Sequence, residues 1–196
     1  MTLQNRVAPT GEIITHPARG TLTGNRGILH RPDRTLGTSR WQHPNWVICT
    51  LHHPRGTYHG PMPDRAWTAL FFLDEAVALA AGHRPCHYCQ RTRAREFRAA
   101  WNAAHGPIGG PVKRGRQQIV HSADAADLPP GSFIAGQTPI LLTESAAHTY
   151  SPAGYGPPQP RPSGTVTVLT PGPTIATLRH GYRPDVHPTA RDTGKS

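Results

Sequence analysis

The sequence predicts an α+β fold, in which a small metal-binding module is followed by a small β-rich unit. An alanine-rich stretch of strong helical propensity ends at Gly82, just ahead of two closely spaced cysteines, Cys86 and Cys89. A second helical pattern, with apolar residues at helical spacing, runs from about residue 90 to residue 105. After a glycine- and proline-rich break at 106–111, short β-branched runs separated by turn residues indicate strands.

The composition limits the size of the hydrophobic core. The chain has 196 residues, of which 20 are Gly and 22 are Pro, and only 36% are hydrophobic. This length suits one domain, or a small metal module with an appended second unit. Because the binding energy of a structural metal counts as folding energy, a metal cross-link would stabilise such a loop-rich chain.

The N-terminal part of the chain carries weak local signals. Residues 1–25 are polar and rich in turn formers, so they predict a loosely held, flexible N-terminal arm. β-branched and aromatic residues then predict two short strands, at about 27–30 and 46–51. The second strand would carry Cys49, and an irregular loop at 54–66 would let this strand approach the later cysteines.

The first helix has clear start and stop signals. Asp74 and Glu75 predict its beginning, because acidic side chains suit the positive end of a helix. Gly82 predicts its end, because glycine tolerates the left-handed turn that satisfies the last carbonyl groups. Pro85 cannot continue the helix, so the two cysteines are expected on a tight turn.

The second helix is predicted to be amphipathic. Its apolar stripe contains Phe97, Ala100, Trp101 and Ala104. Three arginines with offsets of four and three residues fall on another face, and these are Arg91, Arg95 and Arg98. An exposed basic loop is predicted further on, with Lys113, Arg114 and Arg116. Such a set of cations could follow a phosphate backbone, although a solvated surface is the simpler interpretation of an arginine-rich face.

The C-terminal part of the chain predicts strands and one short helix. Strands are expected at 132–135, 139–142 and 165–170, the last because its residues alternate and are β-branched. A helix is expected from about residue 173 to residue 180. We place the main boundary after residue 106, so that a module of residues 26–106 precedes a β-rich unit of residues 107–187 and a disordered tail of residues 188–196.

The cysteines predict a zinc site. A turn that separates two thiols by two residues can bring both sulfurs within about 2.3 Å of one zinc ion. Cys86 and Cys89 have this spacing, and Cys49 supplies a third thiolate from an upstream strand. Three reduced cysteines buried as small hydrophobic residues are the alternative.

The fourth ligand is predicted to be a histidine that follows Cys49. Strand alternation puts His53 on the same face as Cys49, whereas His52 competes if the strand has already ended. Other histidines near the cysteines in sequence are also candidates, namely His59, His83 and His87. The predicted metal ligands are therefore Cys49, His53, Cys86 and Cys89, with Zn²⁺ as the cofactor.

The charge of the chain favours a polyanionic partner. The formal net charge is +10, and cations cluster between Arg84 and Arg116. We therefore expect contact with the backbone of DNA or RNA through the arginine-bearing helix and the basic loop. No catalytic residue is assigned, since the sequence contains no phosphate-binding glycine loop, nucleophile elbow or HExxH helix.

The segment from Phe71-Phe72-Leu73-Asp74-Glu75-Ala76 to Gly82-His83-Arg84-Pro85-Cys86-His87-Tyr88-Cys89 resembles the zinc module of the Ada DNA-repair proteins. In that family an upstream Cys-x3-Cys pair completes a four-cysteine site, and one zinc-bound thiolate accepts a methyl group from a DNA phosphotriester. Here Cys49 matches the first position of that pair, and His53 stands at the second. The chain also resembles a group of actinobacterial proteins that share this core and a Ser-Pro-Ala-Gly-Tyr-Gly segment, and that likeness implies no activity.

The sequence also leaves three alternative functions open and predicts a cellular location. The resemblance implies an alkyl-acceptor role for Cys49 as an alternative, a CxxC pair also occurs in metal-dependent nucleases, and a zinc-stabilised protein-interaction domain is a third possibility. A neutral imidazole in place of one thiolate would make the remaining sulfurs less nucleophilic, which disfavours alkyl transfer. Without a run of about 20 apolar residues or a signal-peptide pattern, the sequence predicts a cytoplasmic protein without membrane contact.

Overall fold

The computed structural model describes residues 2–53, 56–57, 67–107 and 120–190. It contains both helices and sheets, which confirms the mixed α and β class. The elements before residue 107 are β1 (Gln4–Val7), β2 (Ile13–Thr15), β3 (Leu22–Asn25), β4 (Val47–Thr50), β5 (His52–His53), β6 (Gly56–Thr57), β7 (Leu70–Phe72), α1 (Glu75–Ala80), β8 (Arg84–Pro85) and α2 (Arg91–His105). Those after residue 120 are β9 (His121–Asp124), β10 (Phe133–Ile134), β11 (Ile140–Leu142), β12 (Ala147–Ser151), β13 (Gly154–Tyr155), β14 (Thr165–Val168) and α3 (Gly172–Arg179).

The first sheet has the strand order β2-β1-β7-β3-β4-β8. The pairs β1–β7 and β4–β8 are parallel, and the other neighbours are antiparallel. All three residues of β7 are buried, as expected for a continuous apolar run in the middle of a sheet. The edge strand β8 accommodates Pro85, because an edge position needs no hydrogen-bond donor on its open side.

The second sheet is antiparallel throughout, in the order β13-β12-β11-β10-β14-β9. Its strand β14 is the alternating β-branched run that the sequence predicts, and it pairs with β9 over four residue pairs. The short strands β5 and β6 pair with each other in a separate ribbon.

Helix α1 is buried along its whole length, and both of its ends are capped as its sequence predicts. The amide of Val77 donates a 2.9 Å hydrogen bond to the Asp74 side chain, which is the N-cap. At the other end the amides of Gly82 and His83 donate to the carbonyls of Leu79 and Ala78, at 2.9 and 2.8 Å. Gly82 has φ +81°, so this is a Schellman ending that delivers the chain directly into β8.

The two sheets share a hydrophobic core with α1. One cluster of buried side chains takes members from both sides of the predicted boundary at residue 106, including Val7, Phe72, Val77, Phe133 and Tyr155. A further cluster joins α2 to α3. The side chains before and after the boundary are therefore packed together.

The prediction of a flexible N-terminal arm is wrong. Residues 4–25 form three strands of the first sheet, and Val7 and Ile13 are only 1% and 2% exposed. Arg6 pairs with Phe71 across a long sequence separation. Because these strands are short and depend on distant partners, their sequences carry little local signal.

Two smaller predictions also need correction. The segment 27–30 forms no strand, and only His30 makes an isolated bridge, to Leu36. The start of the predicted disordered tail is ordered, because Pro188–Ala190 forms a 3-10 turn and Ala190 is buried. The rest of the tail, 191–196, lies outside the described residues.

Candidate metal centre and the basic face of α2

The structure brings Cys49, Cys86 and Cys89 together. Their three Sγ atoms all lie within 4.8 Å of one another, and all three residues are partly buried. The meeting of these distant cysteines, which the sequence predicts, is confirmed. Within the described residues this is the one group of at least three potential metal-binding side chains.

Parallel pairing of β4 with β8 places Cys49 beside Cys86. Ile48 pairs with Pro85, and the amide of Cys86 donates a 3.0 Å hydrogen bond to the carbonyl of Ile48. The side-chain amide of Gln90 donates a 2.9 Å hydrogen bond to the same carbonyl. The two cysteines therefore follow the paired residues of two adjacent strands.

A tight turn brings Cys89 back to Cys86. The amide of Gln90 donates a 2.9 Å hydrogen bond to the carbonyl of Cys86, and α2 begins at the next residue. The amide of Tyr88 points at the Cys86 sulfur, 3.4 Å away. Such N–H contacts and the positive end of the following helix both favour a thiolate in the turn.

Burial and hydrogen bonds among the three sulfurs shift their pKa values. The pKa of Cys86 is lowered to about 4, chiefly because the Cys49 thiol donates a hydrogen bond to its sulfur, and backbone amides add to this. The same hydrogen bond, followed by burial, raises the pKa of Cys49 far above its usual range. Burial raises the pKa of Cys89. Because metal ligation requires thiolates, binding of a metal ion by these sulfurs would release protons.

The donor set suits a soft or borderline cation. Tetrahedral zinc with Zn–S bonds of about 2.3 Å holds its sulfurs about 3.8 Å apart, which these closely spaced thiols can reach with small adjustments. Thiolates select zinc, copper(I) and iron–sulfur clusters over magnesium or calcium. The structure therefore supports a site for a soft or borderline metal ion.

The five histidines that are candidates for the fourth ligand have different surroundings. His83 is buried in the core, where its Nε2 lies 3.3 Å from Nε of Arg26 and its ring contacts Trp46 and Phe72. His52 and His87 are exposed, and neither belongs to the sulfur cluster. The side chain of His53 and the whole of His59 lie outside the described residues. The assignment of His53 as fourth ligand therefore stays a prediction.

The outer face of α2 carries the three predicted phosphate-binding arginines. Arg91, Arg95 and Arg98 are all exposed. The opposite face is buried through Ala94, Phe97 and Ala100, as the amphipathic pattern predicts. The basic loop residues Lys113, Arg114 and Arg116 lie outside the described residues.

Arg93 and Arg84 have other surroundings. Arg93 forms an ion pair with the buried carboxylate of Glu75 and another, at 2.8 Å, with Glu96. Arg84 is half-buried beside Cys86 and Arg98, and its pKa is lowered first by burial, while the two neighbours act in opposite directions. The Arg84 guanidinium is thus near enough to both Cys86 and Arg98 to interact with them electrostatically.

A buried polar network around the start of α1 escaped prediction. The Tyr155 hydroxyl and the His187 amide donate to Oδ2 of Asp74 at 2.7 and 2.9 Å. The Tyr182 hydroxyl donates to Oε1 of Glu75, and the Asp185 amide donates to Oε2 at 2.9 Å. The sequence identifies both acids only as helix-start residues, because their partners are distant along the chain.

The chain matches no protein-family model, and comparisons with curated proteins and with solved structures also give no match. The resemblance to the Ada zinc module therefore rests on the residues between Cys49 and Cys89 alone. Among the helices of the described residues, none is both long and apolar enough to cross a membrane.

Proposed function

We propose that this protein binds zinc through Cys49, Cys86 and Cys89 and contacts the backbone of DNA or RNA through α2. One observation carries the proposal: the sulfur cluster lies at the N-terminal end of a helix whose exposed face presents Arg91, Arg95 and Arg98. The turn that carries Cys86 and Cys89 thus leads directly into the basic face.

The zinc ion has a structural role in this proposal. Its three sulfur ligands come from the end of β4 and from the turn between β8 and α2, so the ion cross-links the edge of the first sheet to the helix. His53 in β5 is the favoured fourth ligand, since it follows Cys49 at the spacing of the Ada-like pattern. A closed site of four protein ligands is typical of structural zinc.

The nucleic-acid contact depends on charge and spacing. The net charge of +10 attracts a polyanion, and residues four and three positions apart on a helix lie on one face. Arginine donates several hydrogen bonds in a fixed fork that matches phosphate geometry. Contacts of this kind position a protein on nucleic acid without reading its sequence, so we expect affinity with little sequence preference.

The experiment is a binding titration of zinc-loaded protein against labelled DNA and RNA across a salt series. We expect binding that weakens steeply with salt, and a large loss of affinity in the variant Arg91→Gln/Arg95→Gln/Arg98→Gln. The matched control, Arg31→Gln/Arg34→Gln/Arg40→Gln, removes the same charge from three exposed arginines elsewhere. An equal effect of the two triple variants, or no binding at low salt, would reject the role of α2.

A further inference from the structure

Tyr88 is an exposed aromatic side chain at the tip of the cysteine turn. It is 59% exposed, and among the described residues the other exposed large hydrophobic side chains are Ile28 and Val120. Tyr88 is thus the one aromatic residue in that set. Because more than half of this side chain faces solvent, a ligand can reach it.

The backbone that carries this ring is fixed. Tyr88 lies between two of the clustered cysteines, and its amide contacts the Cys86 sulfur at 3.4 Å. The turn is closed by the 2.9 Å hydrogen bond from Gln90 to the carbonyl of Cys86. Because the backbone of the turn is already held in place, little backbone entropy is lost when a flat partner stacks on the ring.

Along the chain, Tyr88 comes just before the row of exposed arginines. Arg91 follows three residues later in the first turn of α2, and Arg95 and Arg98 extend the row over about 10 Å of helix axis. A stacking ring beside a track of cations is the arrangement that proteins use to bind single-stranded nucleic acid. In a duplex the bases are already stacked on each other, so they offer the ring no free face. Phosphate contacts alone do not require an exposed aromatic ring.

We propose that Tyr88 stacks on an unpaired base, so that the basic face of α2 binds single-stranded DNA or RNA in preference to duplex. This inference rests on the proposed function, because the arginines supply the phosphate contacts. The ring adds a preference for single strands over duplex. It adds no sequence preference, because every base offers a π-face.

The test measures fluorescence anisotropy of zinc-loaded protein with four labelled probes. The probes are a short single-stranded DNA, the RNA of the same sequence, the DNA duplex, and a DNA strand with abasic sites throughout. Tyr88→Ala should weaken binding of the single strands about tenfold, the size of one base-stacking contact. Tyr88→Phe keeps the ring and should bind like the wild type. Neither variant should change binding to the abasic strand, which keeps the phosphates and lacks the bases.

The outcomes separate this inference from the proposed function. If Tyr88→Ala binds every probe like the wild type while the arginine triple variant has lost affinity, stacking is rejected and the phosphate contact stands. Tighter binding of the wild type to duplex than to single strand also rejects the inference. If no probe binds at low salt, both proposals fail. Equal zinc content in all variants shows that the turn itself is intact.

Discussion

The hydroxyl of Tyr155 donates a 2.7 Å hydrogen bond to Oδ2 of Asp74, and this contact joins the second sheet to the start of α1. Asp74 is 2% exposed and also accepts hydrogen bonds from the amides of Val77 and His187, both at 2.9 Å. The same carboxylate therefore caps the central helix and holds two segments of the C-terminal half. A buried polar group of this kind stabilises the fold only while its partners remain.

Replacement of Tyr155 by Phe should destabilise the protein. The change removes the donor to Asp74 and leaves a buried carboxylate oxygen with one partner fewer, at a cost of about 1–3 kcal/mol. Urea unfolding followed by circular dichroism measures the free energy. Tyr88→Phe is the control, because that ring is exposed and should tolerate the change. Equal stability of the Tyr155→Phe variant and the wild type would contradict a structural role for this bond.

Asp74 should also make stability depend on pH. Burial, as the largest effect, raises the pKa of this carboxyl from 3.8 to about 6, so the folded state binds its proton more tightly than the unfolded chain. The unfolding free energy should therefore fall as pH rises from about 4 to 6 and level off above, by about 3 kcal/mol for this group.

The pH prediction is tested as a difference between wild type and Asp74→Asn, both measured in the presence of a chelator. The asparagine does not titrate, so the fall in stability between pH 4 and pH 6 should be smaller in the variant. Subtraction removes the contributions of other groups, such as His30, whose pKa is lowered by burial. Parallel stability profiles of the two proteins would show that Asp74 does not have a raised pKa.

Arg93 and Arg91 lie two positions apart on α2 and should behave differently. Arg93→Ala leaves the Glu75 carboxylate, which is 2% exposed, without its ion-pair partner, so we expect a loss of about 3 kcal/mol. Arg91→Ala changes an exposed side chain and should alter stability by less than about 0.5 kcal/mol. Chemical unfolding of both variants gives the comparison, and similar losses would contradict it. The double variant Glu75→Gln/Arg93→Ala should recover part of the stability, because the buried charge is gone.

Local signals in the sequence predict the helices and the cysteine turn. The acidic cap at Asp74 and the glycine at Gly82 act within a few residues of the helix that they bound, so the sequence alone is enough. The same holds for the β-branched run of β14. The meeting of Cys49 with the later pair is predicted for a chemical reason, namely that a two-thiol turn is only half of a zinc site.

The remaining features depend on contacts between distant residues. The sequence predicts no strand at Phe71 and Phe72, which directly precede the first helix. In the structure they belong to the buried strand β7, between β1 and β3. Strand β1 pairs with β7, which is distant along the chain, so the local sequence of β1 does not predict a strand. For this reason the N-terminal segment is predicted to be a loose arm. The partners of Asp74 and Glu75 lie in the C-terminal half of the chain, and no local pattern points to them.

Removal of any one of the three clustered thiols should abolish tight zinc binding. Purified wild-type protein should contain about one zinc per chain, and Cys49→Ser, Cys86→Ser and Cys89→Ser should each lose it, because a serine hydroxyl is a poor ligand for zinc. His53→Ala should lower the affinity if its imidazole is the fourth ligand. The control is His87→Ala, which changes an exposed histidine in the cysteine turn. Metal analysis and a zinc-chelator competition measure content and affinity.

A chelator should also lower the melting temperature of the wild type and leave that of Cys49→Ser unchanged, because binding energy is part of the folding energy only where the ion is held. Zinc retained at full affinity by the Cys49→Ser protein would exclude Cys49 from the site.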